Sequence, residues 1–218
     1  MNPLHNELKK EFQLERMILF SDAVFAIAIT LLAIELKVPV IVTGITDHKL
    51  AESLNEMIPK FIGFLISFFI IGQYWTIHHR LFGFVVNYNL RLMWLNLVFL
   101  LAVVLMPFTS AFYSEYITYY LKIPSIFYII NICFLGFMNY LMWRYVSNPK
   151  HALSEGLVKP VANYYSMRAI AVPIIFLLMA LMFLISPHVA IWMPAIIPPV
   201  IGLLSKYYKK RIIFSVNK

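Results

Sequence analysis

The apolar residues of this chain come in runs long enough to cross a lipid bilayer. A helical span needs about 20 mostly apolar residues to cover about 30 Å of hydrocarbon. Runs of that kind fall near 18–37, 58–79, 91–112, 122–144, 168–186 and 188–206. Hydrocarbon supplies no water to backbone groups, so each run must satisfy its own hydrogen bonds as a helix. A β-barrel would instead show short segments of alternating polarity. The expected fold is an all-α integral membrane protein, a six-transmembrane-helix bundle. Composition agrees: only 13% of residues are charged, against roughly 25% in soluble domains. An ordinary soluble enzyme is thereby excluded.

Prolines punctuate these runs. Pro39 ends the first, and Pro59 and Pro124 stand near the starts of the second and fourth, where proline costs little. Pro107 sits inside the third run and is expected to kink it. Pro149 and Pro160 fall in the longest internal connection, 145–165, and Pro187 closes the fifth run. Pro194, Pro198 and Pro199 interrupt the sixth. The organisation is then an interfacial segment, 1–17, a membrane domain, 18–206, and a basic tail, 207–218. The polar first 16 residues carry no cleavable signal pattern, so the first run is expected to remain as a span.

Charge sets the expected orientation. Of the 18 Lys and Arg residues, all but Lys37, Lys49, Lys60 and Lys122 lie in the N-terminal segment, the second-to-third and fourth-to-fifth connections, or the tail. The positive-inside rule places that side, with both termini, in the cytoplasm. The net charge of +8 then meets anionic lipid headgroups rather than nucleic acid. The expected location is the cell's inner or plasma membrane. The single cysteine, Cys133, cannot form an intrachain disulfide and reads as a small buried hydrophobe.

The most informative segment is RMILFSDAVFAIAITLLAIE, residues 16–35. Ile27, Thr30, Leu31 and Ile34 share one helical face. Such a stripe could pack against a neighbouring helix or face a symmetry axis, and periodicity does not separate the two. Ala23, Ala26, Ala28 and Ala33 keep the helix narrow enough for close approach. Asp22 is costly if it faces lipid, so it is expected either in a polar cluster or as a solvated carboxylate at the helix end, and Arg16 could pair with Asp22 of another subunit or contact another helix. Glu35, near the outer end, could concentrate cations at a pore mouth, pair with Lys37, or be hydrated. In the second run, Trp75 and His78 can share a face, and His78 could bond Asp22 or Ser21. Asn87, Asn89, Asn96, Asn131 and Asn139 are expected to form interhelical hydrogen bonds. Trp94, Trp143 and Trp192 fit interfacial anchors. No catalytic arrangement, cofactor motif or metal-ligand spacing stands out.

The run RMILFSD at 16–22, continued by AVFAIAITLLAIEL, together with WTIHHRLF at 75–82 and LNLVFLLAVVLMPFTSAF at 95–112, resembles prokaryotic members of the transmembrane protein 175 family of potassium channels. The resemblance is strongest across residues 16–112. It implies a potassium-selective or potassium-permeable cation channel, assembled as a homotetramer around a pore lined by the first helix. Residues 18–206 would form the channel domain. Ile27, Thr30, Leu31 and Ile34 would line the constriction and set selectivity, with Ile27 forming the tightest ring. Arg16, Ser21, Asp22, Trp75 and His78 would form an interhelical support or gating cluster. Neither a TVGYG filter segment nor an arginine-rich voltage-sensor helix is present. No cofactor is implied, and the only metal ions expected are permeating monovalent cations, potassium among them. Two other functions stay open: a secondary transporter or proton-coupled exchanger, which would need polar midplane residues, and a non-conducting membrane scaffold.

Overall fold

A computed structural model describes residues 3–40, 44–119 and 121–216, without the side chains of 3–9, 118, 187 and 214–216. Among the cations assigned above to the cytoplasmic side, Lys218 and the side chain of Lys9 lie outside the described residues. The chain is all-helical in its long elements: α1 (Pro3–Ile34), α2 (Asp47–Glu56), α3 (Ile58–Phe82), α4 (Leu90–Tyr116), α5 (Lys122–Val146), α6 (Lys159–Ile185), the short α7 (Pro187–Ala190) and α8 (Ile197–Val216). Six segments are long and apolar enough to cross a membrane, within α1, α3, α4, α5 and α6 and across His188–Ile213. This is a multi-pass membrane protein built as a helical bundle.

Several boundaries differ from the sequence expectation, for local reasons. The polar N-terminal segment and the first apolar run form one uninterrupted helix. α6 begins at Lys159, with Pro160 in its first turn. Proline there lacks only an N–H that no helical carbonyl would have accepted, so Pro160 starts the helix rather than prolonging the connection. Pro198 and Pro199 likewise stand in the first turn of α8. The sixth span is therefore longer than 188–206, with its irregular part confined to α7 and the 3-10 turn Met193–Ile196.

Two prolines do lie inside spanning helices, Pro107 in α4 and Pro173 in α6. Each removes an N–H that would have bonded the carbonyl four residues earlier. For Pro173 that carbonyl belongs to Ala169, and the Tyr74 hydroxyl from α3 donates to it at 2.8 Å. Near Pro107, the Asn131 amide from α5 donates to the Ala102 carbonyl at 3.1 Å and to Thr109 Oγ1 at 3.3 Å, spanning the break. A neighbouring helix thus re-satisfies the carbonyl that Pro173 frees, as hydrocarbon requires, and another braces α4 on both sides of Pro107.

Helices α4, α5 and α6 pack side by side at the centre, with α1 laid against α3 and α4, and α8 against α6. Ser67 of α3 bonds both Ser110 of α4 at 2.6 Å and Tyr128 of α5 at 2.8 Å. Gly136 of α5 permits the closest approach: a Cβ there would meet the Pro173 ring, the Tyr74 hydroxyl at 2.5 Å and the Ala169 carbonyl at 2.7 Å. Trp143 is not an interfacial anchor. It is fully buried and stacks on Tyr165, ring centroids 4.7 Å apart, whereas Trp94 and Trp192 are exposed. Asn139 is also fully buried, but neither atom of its amide has a partner, contrary to the interhelical bond expected of it. Cys133 is only partly buried.

At one end of the bundle the α3–α4 and α5–α6 connections are tied together. Val86 N–H donates to the Leu153 carbonyl at 2.9 Å, and Glu155 N–H to the Phe84 carbonyl at 3.0 Å. Asn89 caps α4 through the Leu92 N–H and donates to the Tyr145 hydroxyl. The end of α3 and the start of α6 therefore lie at the same membrane face.

A methyl group at position 136 should strain this junction. Gly136→Ala is expected to cost roughly 1–3 kcal/mol by overpacking, read as a lower melting temperature in detergent. Gly72→Ala, whose Cβ would enter open space, should melt like the native protein. Equal melting of both variants would refute the close packing of α5 on α6.

Candidate functional site: the two faces of the first helix

In hydrocarbon, apolar contact between helices gains little over contact with lipid tails, so polar bonds weigh more in positioning a helix. α1 carries its fastening on one face. Leu14, Ser21, Phe25, Ala28 and Leu32 are buried there. The Ser21 hydroxyl donates to the Met17 carbonyl one turn back at 2.8 Å. The Asn96 side-chain amide of α4 donates to Ser21 Oγ at 2.9 Å. His78 Nε2 of α3 lies 2.8 Å from Asn96 Oδ1. Because the Asn96 nitrogen donates to Ser21, its oxygen must accept, and His78 Nε2 must carry the proton. The result is a one-way series of donors, His78 to Asn96 to Ser21 to Met17, joining three helices.

Aromatic rings enclose this series. His78 stacks on Phe99 with centroids 5.4 Å apart and planes at 8°, and meets Phe82 at 4.5 Å and Phe25 at 5.5 Å. Beside it, Trp75 Nε1 donates to Asp22 Oδ1 at 3.0 Å, while the Trp75 ring stacks on His79. Asp22 is half-buried, and this charge-assisted bond offsets part of the cost of holding a carboxylate at that depth.

Four of the five residues expected to form a support cluster therefore come together: Ser21, Asp22, Trp75 and His78. The pairing differs from the expectation in that His78 reaches Ser21 through Asn96 rather than directly. Asn96 was legible only as one of several asparagines in apolar runs. Arg16 stands apart. It is exposed, its guanidinium lies 5.7 Å from the Phe12 ring centre, and no ion pair joins it to Asp22 among the described residues.

The opposite face of α1 is left exposed among the described residues. Ile27 is 58% exposed, Leu31 40% and Ile34 69%. Thr30 is exposed between them, and its hydroxyl lies 3.0 Å from the Ala26 carbonyl and 2.9 Å from the Ile27 carbonyl. The hydroxyl proton is thus taken up by the helix itself, which leaves the oxygen lone pairs turned outward as acceptors. Arg16, Phe20 and Ala23 continue this face toward the N-terminus at helical spacing. Glu35, just past the helix end, is exposed beside a small recess lined by Leu32, Lys60, Ser110 and Ser114. No ion pair joins Glu35 to Lys37 among the described residues, and Lys60 instead pairs with Glu115 at 2.6 Å.

Comparison with known proteins finds similar chains. Residues 16–107 match the family described as endosomal/lysosomal potassium channel TMEM175. A potassium channel of Streptomyces collinus is 39% identical over 98 residues, 45% of this chain and 46% of that protein. A potassium channel of Chamaesiphon minutus is 37% identical over 117 residues, 51% of this chain and 54% of that protein. The chain thus spans about half the length of the curated relatives it matches. The crystal structure of a lysosomal potassium-selective channel TMEM175 homolog from Chamaesiphon minutus shares the fold, with a TM-score of 0.66 at 24% identity, over 91% of this chain and 97% of that one.

If the donor series holds α1 in place, its members should be energetically coupled. A double-mutant cycle of Ser21→Ala and Asn96→Leu, read by thermal unfolding in detergent, should return a coupling of about 0.5–1.5 kcal/mol. Simple additivity of the two changes would mean that the bond contributes nothing to seating α1.

Proposed function

We propose that the chain belongs to the TMEM175 family, whose model matches residues 16–107, and that it is a potassium-permeable cation channel whose pore is lined by the first helix of four identical subunits. The observation that carries this reading is the two-sided character of α1. One face is locked to α3 and α4 by hydrogen bonds, while the face bearing Ile27, Thr30, Leu31 and Ile34 is left open at helical spacing. A fourfold axis gives that face a partner, namely itself.

The mechanism follows from the chemistry of such a ring. Isoleucine and leucine side chains around an axis make a narrow apolar constriction, tightest at Ile27. A constriction of that kind can empty of water and block ions when closed. Opening widens it until an ion passes with part of its hydration shell. Potassium sheds water more cheaply than sodium, which favours potassium without a carbonyl-lined filter. The outward lone pairs of Thr30 replace some of the lost water oxygens. Glu35 would concentrate cations at the outer mouth by Coulomb attraction. Ser21, Asp22, Trp75 and His78 would hold α1 at the radius its neighbours set. Arg16, at the inner end of the open face, would stand within reach of Asp22 of an adjacent subunit. By the positive-inside rule, the basic connections and tail favour both termini on the cytoplasmic side of the cell membrane.

The reading is tested by potassium and sodium currents through purified protein in a planar bilayer. Native protein should pass a non-saturating current favouring potassium. Ile27→Asn wets the constriction, and lowering the barrier by about 1.4 kcal/mol would raise the current about tenfold, with weaker discrimination against sodium. Saturable flux in place of current would point to a transporter. Folded protein without current across pH and voltage would sink the channel reading, and an unchanged Ile27→Asn current would move the constriction elsewhere.

A further inference from the structure

A large groove lies between α3, Arg168 of α6 and the α7–α8 region, with no residue of α1 in its lining. Its volume is about 860 Å³, and its walls are almost wholly apolar, with Ile66, Phe69, Trp192 and Ile201 among them. On α3 it runs from Ile62 to Thr76, about 21 Å at 1.5 Å per residue. That is close to the length of an extended lipid acyl chain.

One end of the groove is polar in a specific way. Gln73 and Arg168 line it, and Gln73 Nε2 and Arg168 Nε are both buried without a hydrogen-bond partner. Arg168 takes part in no ion pair among the described residues. Arg168 is only partly buried, but holding its Nε away from water without an acceptor is costly. The two groups lie at one depth, since each stands about 14 Å along its helix from the membrane face where α3 ends and α6 begins. That depth is inside the hydrocarbon, and the long Arg168 side chain can turn its charge toward the headgroups of the more basic side. Two donors, one of them cationic, therefore line the end of an apolar channel of acyl-chain length that is nearer the more basic membrane face.

We propose that this groove holds an anionic phospholipid, its phosphate against Arg168 and Gln73 and one acyl chain running along α3 and α8 toward Trp192. The phosphate supplies the missing acceptor and countercharge. Arginine suits it because its planar fork can bond two phosphate oxygens at once. Thr76 adds no competing donor, because its hydroxyl is already given to the Gln73 carbonyl at 2.7 Å. The site is separate from α1, so it stands whether or not the chain conducts potassium.

Trp192, 72% exposed at the far end of the groove, is a built-in reporter. Full-length protein in phosphatidylcholine vesicles would be given chain-brominated phosphatidylglycerol or chain-brominated phosphatidylcholine at equal mole fraction. The Trp192 signal is obtained by difference from Trp192→Phe. Phosphatidylglycerol should quench it about fivefold more effectively, the preference one basic residue gives near a membrane surface. Arg168→Gln should reduce that excess to the phosphatidylcholine level. Gly202→Leu fills the groove from α8, where an added Cβ meets no atom. It should abolish the excess without changing the melting temperature, and it decides the matter if Arg168→Gln does not fold. Equal quenching of native protein by the two lipids overturns the proposal, as does an excess that survives both variants. Quenching by neither lipid would mean that a second copy of the chain covers the groove, which also overturns it.

Discussion

Hydrocarbon gives polar groups no second chance: each must find its partner within the protein. Much of this structure follows from that constraint. It explains why two spanning helices tolerate internal prolines, since a tyrosine hydroxyl reaches one freed carbonyl and an asparagine amide braces the other break. It explains why Ser67, Ser110 and Tyr128 meet at the centre instead of facing outward. The same rule draws notice to the few groups that escape it. Asn139 and Trp143 leave buried polar atoms unpaired one turn apart on α5, and Gln73 and Arg168 do so at the edge of a groove.

The first helix expresses the constraint asymmetrically. Its polar residues are spent on one side, where Ser21 and Asp22 meet partners from α3 and α4. Its other side keeps a single hydroxyl, and even that proton is given back to the helix. A helix seated this way owes its angle to a few hydrogen bonds near its middle, and its open side is free to be shaped by whatever meets it. Narrow residues such as Ala23 and Ala26 on that exposed side let another surface come close.

The bundle was legible in the sequence because membrane thickness writes itself into run length. Helix ends were harder, since proline has opposite meanings at a first turn and in a connection, and Pro160 and Pro198 turned out to start helices. Tertiary pairing left the weakest trace. Asn96 looked no different from Asn139, yet one links His78 to Ser21 and the other has no partner. Trp143 sat where an interfacial anchor belongs, and only the packing of α6, with Tyr165, hides it. The stripe on α1 was visible as a stripe, but its exposure depends on which neighbours the chain places around it. The donors at the foot of the α3–α8 groove had no sequence signal, because Gln73 and Arg168 belong to different helices and share only a depth.

The donor series through Asn96 also has a bearing on how the chain is made. Ser21 and the asparagine that bonds it are 75 positions apart, so α1 enters the membrane well before its partners exist. Ser21 can wait, because its proton already has the Met17 carbonyl within its own helix. Asp22 cannot, since its one hydrogen-bond partner among the described residues, Trp75, arrives two helices' length later. During synthesis the young first helix must keep that carboxylate near the headgroups, and it settles to its final depth only when α3 arrives. The order of insertion, and not only the finished contacts, is thus constrained by a single carboxylate.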